Sequence, residues 1–169
     1  MFALKSAHGA SDAERLSELL AQARALLEGE RDPVANAANL ASLVFHTLPE
    51  LNWAGFYWMK GGELVLGPFQ GKPACVRIAV GRGVCGTAVK ERRTIVVPDV
   101  NAFPGHIACD SASRSELVVP VLKQGTVLGV LDLDSPMPSR FGDAEARALE
   151  RLVADFVAAT DLDFAPEGL

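Results

Sequence analysis

The sequence predicts an α+β domain with a central, mostly antiparallel sheet and helices packed on one face. Two observations support this fold class. Apolar residues follow helical spacing in the first 50 residues, strand-like runs through the middle, and helical spacing again near the end. Short glycine-containing turns join the clearest strand pairs, which favours hairpins over parallel crossovers. The 169 residues contain no internal repeat or linker, so we expect one domain over residues 1–169.

The helices before the sheet carry clear start signals. Ser11 and Glu14 form a capping box that begins a helix over about residues 12–28. Asp32 followed by Pro33 is typical of the first turn of a second helix. Leucine and alanine recur on one face of each helix, so we expect both to bury that face against the sheet.

Strands dominate the middle of the chain. Asn52–Met59 and Glu63–Leu66 flank Gly61-Gly62 and predict a hairpin. The remaining predicted elements are a strand over 74–80, a short helix over 84–92, a short strand over 94–97, a long loop over 100–114, two strands over 115–122 and 126–134, and a last helix over 144–159. Long loops in compact domains are often functional, which draws attention to residues 100–114.

The second hairpin brings acidic side chains together. Asp132 and Asp134 lie two residues apart, so they share one face of their strand. A three-residue loop over 123–125 pairs Leu122 with Thr126, and counting back sets Glu116 opposite Asp132. Three carboxylates on one patch can bind a cation such as an α-ammonium group, or raise one pKa so that a proton is available at neutral pH.

A solvated sheet face is the alternative interpretation of this acidic patch. Val118, Leu128 and Val130 are predicted to share the face, which favours a covered position. Trp53 and Tyr57 also share one face of the first strand, because four is an even step. They form either core packing or a wall that receives an apolar thioether or methyl end.

The cysteines are Cys75, Cys85 and Cys109, an odd number that argues against a structural disulfide framework. Cys85 lies in the first turn of the short helix, where the helix terminus favours a thiolate. Cys109 lies in the long loop between His106 and Asp110. Each cysteine taken alone is also compatible with a small buried apolar residue. His106 and the cysteines lack paired C-x-x-C spacing, so no metal site is predicted.

A glycine-rich segment, Gly81 to Gly86, matches G-x-G-x-x-G between a strand and a helix. The surrounding hairpins argue against a dinucleotide site, which requires parallel βαβ units. Two interpretations remain. The segment is a turn that opens a helix, or the amides at the helix start hold a small anion such as an amino-acid carboxylate.

Charge and hydropathy exclude other classes. The net charge is −5, and the densest basic group is Lys90, Arg92 and Arg93 beside an acid, so nucleic-acid binding is not expected. No apolar run reaches 18 residues, and the N-terminus lacks the features of a signal peptide. We therefore expect a cytoplasmic protein that does not interact with membranes.

These residues together resemble a known family. The chain is similar to free methionine-(R)-sulfoxide reductase, a family built on a GAF domain. The similarity is carried by segments 71–75, 80–88, 106–110, 115–116 and 129–135. The cysteine spacing also matches, with ten residues from Cys75 to Cys85 and twenty-four more to Cys109. The similarity covers about residues 30–160, with the helix over 12–28 preceding that core.

The resemblance implies a thiol reaction. Cys109 attacks the sulfoxide sulfur of free L-methionine-(R)-sulfoxide, methionine is released, and a sulfenic acid remains on Cys109. Cys75 condenses with it to a disulfide that thioredoxin reduces, with NADPH consumed indirectly and no bound cofactor. Local helix electrostatics favour Cys85 as the activated thiol instead, so Cys85 is kept as an auxiliary or alternative resolving thiol.

The resemblance also implies roles for the remaining side chains. Glu116 or Asp134 supplies or orients protons, Asp132 and Asp134 hold the substrate ammonium, and the two aromatic side chains, Trp53 and Tyr57, enclose the methyl group. A GAF-type module that senses a small ligand without chemistry is the alternative function. A homodimer is suggested by analogy with GAF domains that pair through terminal helices.

Overall fold

The computed structural model describes residues 11–105 and 111–163. The elements within these ranges are α1 (Asp12–Leu27), α2 (Pro33–Thr47), β1 (Trp53–Lys60), β2 (Glu63–Gly71), β3 (Arg77–Ala79), α3 (Gly83–Glu91), β4 (Ile95–Val97), a 3₁₀ turn (Val100–Ala102), β5 (Ser115–Lys123), β6 (Thr126–Ser135) and α4 (Asp143–Ala159). None of the helices in these ranges has the length and apolarity needed to cross a bilayer.

The strands form one six-stranded sheet in the order β3-β2-β1-β6-β5-β4. Each neighbouring pair in that order is antiparallel. The predicted antiparallel α+β sheet is therefore confirmed. β1 and β6 lie at its centre although they are far apart in sequence, so the sheet joins the N-terminal and C-terminal hairpins.

Three helices, α1, α2 and α4, cover one face of the sheet. Both predicted helix starts are confirmed: Ser11 and Glu14 cap each other at α1, and the Asp32 side chain accepts hydrogen bonds from two amides at α2. Alternate residues of β1, including Phe56 and Trp58, point into this helix-covered core. The apolar stripes of these helices and the apolar residues of this sheet face together form the larger core.

The helix α3 lies across the opposite face. Its buried residues pack with Ile78, Ile95, Val118 and Val130 in a second, smaller apolar cluster. The prediction of helices on one face thus applies to α1, α2 and α4, and α3 adds a partial cover to the other face. This partial cover leaves space for a pocket beside α3.

The hairpin of β5 and β6 differs from the predicted register. Gln124 and Gly125 both have positive φ, 49° and 81°, which gives a two-residue type I′ turn instead of a three-residue loop. Lys123 pairs with Thr126, and a bulge follows beyond Leu122. Glu116 consequently lies opposite Asp134, two residues from its predicted partner.

The register error leaves the acidic face intact, because a shift of two residues keeps every side chain on its own face. The bulge does change one assignment. Leu128 packs against the helix-covered core and not beside the carboxylates, so its predicted position was wrong. Val127 takes the place on the opposite face.

Candidate functional site

A pocket opens on the face of the sheet that α3 partly covers. Strands β1, β5 and β6 form its floor, the start of α3 forms one wall, and the segment after β2 forms another. The lining residues are Trp53, Tyr57, Lys72, Pro73, Ala74, Ile78, Arg82, Gly83, Val84, Cys85, Ser113, Glu116, Asp132 and Asp134. Six of the eight site residues predicted from the sequence are therefore in one place.

Strand register accounts for the convergence of the carboxylates. Asp134 pairs with Glu116 on one side and with Trp53 on the other. Asp132 follows on the same face, since it lies two residues before Asp134. Both Glu116 and Asp132 have only 6% of their surface exposed. The predicted acidic patch is thus covered, and the solvated alternative is wrong for these two side chains.

Burial raises the pKa of Glu116 and of Asp132 well above the ordinary range of carboxyl groups. Repulsion from the neighbouring carboxylates acts in the same direction. The Oδ1 atom of Asp132 is buried and has no hydrogen-bond partner. The site therefore favours a bound cation, or at least one proton retained among its acids at neutral pH.

Cys85 faces this acidic group from α3. Its side chain is buried, with 3% of the residue exposed, and its Sγ lies 3.9 Å from Oε1 of Glu116. Burial, followed by the charges of Asp132 and Glu116, raises the pKa of the Cys85 thiol well above its usual value. The helix terminus alone favours a thiolate at Cys85, and desolvation and the nearby acids act in the opposite direction.

Cys75 lies on the wall that precedes β3. It is half-buried against the apolar cluster beneath the pocket and takes part in a disulfide. Its backbone carbonyl accepts a hydrogen bond of 3.0 Å from the hydroxyl of Tyr57, and its neighbour Ala74 lines the pocket. The third cysteine, Cys109, lies with His106 and Asp110 outside the described residues.

The aromatic wall is built around Trp53. Its ring stacks on Tyr57 at 5.7 Å and on Phe69 at 5.4 Å between centroids. Its indole nitrogen donates to the carbonyl of Lys72 at 3.1 Å. Gly55 lies between these rings, and a Cβ there would stand 2.7 Å from the edge of the Trp53 ring. The two predicted aromatic residues therefore pack in the apolar cluster and also line the pocket, and their contact with a methyl group stays a prediction.

The glycine-rich segment is a turn that opens α3. Gly81 and Gly83 have positive φ, 80° and 59°, which glycine adopts without strain. A Cβ at Gly86 would overlap the carbonyl oxygen of Ala79, so this glycine allows α3 to lie against the end of β3. The pairs of strands around the turn are antiparallel, which excludes a βαβ dinucleotide site here.

Three residues that line the pocket were not predicted from the sequence as site residues. Lys72 and Arg82 are exposed at the rim of the pocket, and Ser113 is buried in its wall. Ser113 accepts a hydrogen bond of 3.0 Å from the side chain of Asn52, which joins the end of the long loop to the start of β1. Arg82 lies inside the glycine-rich motif, and its position before a helix was the signal that could have identified it.

Three side chains of the site could hold a metal ion. One ligand atom from each of Cys85, Glu116 and Asp132 lies within 4.8 Å of the others. Sequence spacing did not predict this group, because its members come from α3, β5 and β6 and no two of them form a short motif.

Comparison with known proteins places this geometry in a family. The GAF domain model matches residues 13–160. Protein YtsP of Bacillus subtilis is 56% identical over 133 residues, 78% of this chain and 82% of that protein. The free methionine-R-sulfoxide reductase of Escherichia coli is 50% identical over 140 residues, 81% of this chain and 85% of that protein.

A solved structure extends the comparison to the fold. The free methionine-R-sulfoxide reductase from Neisseria meningitidis, in complex with its substrate, superposes with a TM-score of 0.90 at 42% identity, covering 94% of this chain and 95% of that one. The chain belongs to the GAF domain family and, within it, to the group of free methionine-R-sulfoxide reductases.

Proposed function

We propose that this protein reduces free L-methionine-(R)-sulfoxide to L-methionine through its own cysteine thiols. One observation carries the proposal: the pocket combines an aromatic wall, three carboxylates and the Cys85 thiol, and the disulfide-bonded Cys75 directly follows its lining residue Ala74. Relatives from Escherichia coli and Neisseria meningitidis, at 50% and 42% identity, bear the name of this reductase.

The pocket suits the groups of a free amino acid. Asp132 and Asp134 bind the ammonium group, which supplies the cation that the unpartnered Oδ1 of Asp132 lacks. The methyl group on sulfur lies against Trp53 and Tyr57. The amides at the start of α3, with Arg82 at the rim, hold the carboxylate. A peptide-bound methionine has no charged ammonium or carboxylate at these positions, so the site selects the free amino acid.

The reaction proceeds in two steps that balance. The thiolate of Cys109 attacks the sulfoxide sulfur, the oxygen passes to the cysteine as a sulfenic acid, and methionine leaves as the thioether. The thiol of Cys75 then attacks the sulfenic sulfur, and the oxygen departs as water while a disulfide forms. The cysteines thus supply two electrons. The disulfide at Cys75 supports its assignment as the resolving residue.

A proton must reach the sulfoxide oxygen as its bond to sulfur breaks. Glu116 is the proposed donor, because burial and the neighbouring acids raise its pKa and keep it protonated near neutral pH. Asp134 is the second candidate for orienting this proton, since it pairs directly with Glu116 across the strands. Cys85 serves as an auxiliary thiol, because its raised pKa disfavours the thiolate that a nucleophile needs.

Electrons return from outside the protein. Thioredoxin is the proposed reductant of the disulfide, with NADPH consumed by its reductase and no cofactor bound to this chain. Such a cycle requires a reducing compartment, which favours the cytoplasm. A homodimer completes the proposal by analogy with GAF domains that pair through terminal helices, and sizing of the protein in solution tests it.

A coupled assay tests the activity. The reduced protein is mixed with free methionine-(R)-sulfoxide, thioredoxin, thioredoxin reductase and NADPH, and both NADPH loss and methionine formation are measured. We expect one methionine per NADPH, with little turnover of the (S) epimer or of N-acetylmethionine sulfoxide. Binding of the sulfoxide without methionine formation would instead support the alternative, a small-ligand sensor.

Mass spectrometry of single Cys→Ser variants tests the cysteine roles. After one addition of sulfoxide without reductant, the Cys75→Ser variant should trap a sulfenic acid on Cys109. The Cys109→Ser variant should form no methionine, and Cys85→Ser should still turn over with thioredoxin. Sulfenic acid on Cys85 in the Cys75→Ser variant would overturn this assignment.

A further inference from the structure

The side chains of Cys85, Glu116 and Asp132 form a group that we call the thiol–carboxylate cluster. One ligand atom from each lies within 4.8 Å of the other two, and all three side chains are buried. They come from α3, β5 and β6, elements that pack firmly against one another around the pocket. The cluster is therefore held in place by the fold and does not depend on a flexible loop.

A separate observation indicates that this cluster lacks a ligand. Asp132 has only 6% of its surface exposed. Its Oδ1 atom is inaccessible to solvent and accepts no hydrogen bond. Buried acceptors without a partner are rare in native structures, because desolvation without a compensating contact is unfavourable. Asp132 lines the pocket, so a cation bound there could approach its carboxyl group.

The basic side chains of the pocket lie at its rim. Lys72 and Arg82 line the rim and are exposed, whereas the cluster lies in the buried floor. Asp134 adds a further carboxylate on the same face of β6. The floor thus presents a thiol and several acids to any cation that fits between them.

The donor set selects the class of cation. Two carboxylates and one cysteine sulfur suit Zn²⁺, whereas Mg²⁺ and Ca²⁺ favour sites made of oxygen alone. In a tetrahedral zinc site, neighbouring sulfur and oxygen ligands lie about 3.5 Å apart. The Sγ of Cys85 and Oε1 of Glu116 are 3.9 Å apart, so a movement of a few tenths of an ångström is sufficient. Three protein ligands leave the fourth position of a tetrahedral zinc site for water.

We propose that the thiol–carboxylate cluster binds one Zn²⁺ ion, and that this ion and the sulfoxide substrate exclude each other. The thiol of Cys85 loses its proton to solvent as the metal–sulfur bond forms. The exclusion rests on the proposed function, because it assumes that the substrate ammonium occupies the same Asp132 oxygen. Zinc is then a reversible inhibitor that acts on the floor of the pocket.

Cobalt titration tests the metal site directly. The oxidised wild-type protein retains Cys85 as a free thiol, and added Co²⁺ should produce a near-ultraviolet thiolate-to-cobalt charge-transfer band at one ion per chain. The Cys85→Ser variant should lose the band. The Asp132→Asn variant should bind at least about tenfold more weakly. Glu28→Gln, a change at an exposed carboxylate directly after α1, serves as the matched control and should leave the titration unchanged.

A second measurement covers the case in which a variant folds poorly. In wild-type protein, Zn²⁺ should displace Co²⁺ and abolish the band, and a chelator should restore the metal-free spectrum. The absence of a band in wild type, or its persistence in Cys85→Ser, would overturn the metal site.

Addition of free methionine sulfoxide then tests the exclusion. The substrate should lower the apparent affinity for Co²⁺ in proportion to its concentration, and Zn²⁺ should raise the KM of the coupled reaction without lowering kcat. Metal affinity that does not change with sulfoxide would overturn the exclusion. Failure of metal-free protein to form methionine would instead refute the proposed function, so the two failures are distinguishable.

Discussion

The two faces of the sheet are built from the same strands but obey different rules. Along β1, Phe56 and Trp58 point into the helix-covered core, while Trp53 and Tyr57 point into the pocket. Strand β6 alternates in the same way, with Leu131 and Leu133 on the helix side and the two aspartates on the other. A single period of two therefore separates the side chains that stabilise the protein from those that act on a ligand.

This difference between the faces indicates that the protein loses folding stability at the pocket, where the functional groups are buried. The helix-covered core is apolar and closely packed, whereas the pocket face buries carboxyl groups that repel one another. Mutations on the first face should change the free energy of unfolding and spare the chemistry of the folded molecules. Mutations on the second face should do the reverse.

The largest expected change in stability comes from the helix-covered core. Phe156 is fully buried and packs against Phe56 with its ring tilted by 36° and 5.2 Å between centroids. Phe156→Ala should lower the free energy of unfolding by about 3–5 kcal/mol. Urea denaturation measures the change, and Val34→Ala, at an exposed residue of α2, is the control. A kcat of the folded protein that falls together with stability would contradict the division between the two faces.

For Glu116→Gln, on the pocket face, we expect a loss of activity without a loss of stability. The amide keeps the shape of the side chain but cannot donate the proton, so kcat in the thioredoxin-coupled assay should fall about 10²-fold. Stability at neutral pH should be unchanged or higher, because one buried acid is removed. Glu28→Gln, at an exposed site directly after α1, should change neither quantity. Wild-type kcat in the Glu116→Gln protein would exclude Glu116 as the proton donor.

The position of α3 between the faces can be tested through Gly86. A Cβ at this residue overlaps the carbonyl oxygen of Ala79, so Gly86→Ala should cost about 1–3 kcal/mol of stability. Displacement of α3 should also raise the KM for the sulfoxide, because the start of this helix lines the pocket. Gly62→Ala, at a turn with open space around it, should leave the KM unchanged. An equal KM effect in both variants would argue against a specific role for the close contact.

The pH dependence of stability distinguishes the faces further. Because the pKa of Asp132 is raised in the folded state, the folded protein retains a proton that the unfolded chain has lost. Stability from this group is present at low pH and is lost as the pH rises above the ordinary carboxyl range, by at most about 1.4 kcal/mol per pH unit.

The Asp132→Asn variant should not lose stability in this way as the pH rises, because asparagine does not ionise. Its free energy of unfolding, measured by urea denaturation, should match wild type near pH 4 and exceed it near pH 8. Asp143→Asn, at an exposed residue in the first turn of α4, is the control and should show no such divergence. Parallel pH profiles for wild type and Asp132→Asn would show that the aspartate is ionised in the folded protein.

The smallest expected effect concerns the hairpin that sets the register of the acidic residues. Gln124 has a left-handed backbone, φ 49°, which asparagine adopts more readily. Gln124→Asn should therefore raise the free energy of unfolding by about 0.5 kcal/mol. The measurement is again urea denaturation, with activity unchanged because both sheet faces keep their side chains. A loss of stability would indicate that the turn is not type I′.

Most of the local structure could be predicted because its signals are local. Capping residues identified the starts of α1 and α2, and alternation assigned Trp53, Tyr57 and the acidic residues to one face. The hairpin register could not be predicted, because a type I′ turn at Gln124 and a bulge beyond Leu122 depend on how the whole sheet twists.

Cys85 shows the difference between what local sequence signals predict and what depends on the tertiary structure. Its position in the first turn of α3 was visible in the sequence, and that position alone favours a thiolate. Its burial against Glu116 and Asp132 depends on α3 lying across β5 and β6, which the chain reaches only through long-range pairing.

The sequence by itself determined the helices, the antiparallel strands, the side chains that share the pocket face and the family resemblance, because each of these follows from spacing over a few residues. Only the tertiary structure decided which acids are neighbours, which thiol is buried and which carboxylate oxygen has no partner. Burial and electrostatic coupling depend on groups that are distant along the chain, and their strength is set by the solvent that the whole fold excludes.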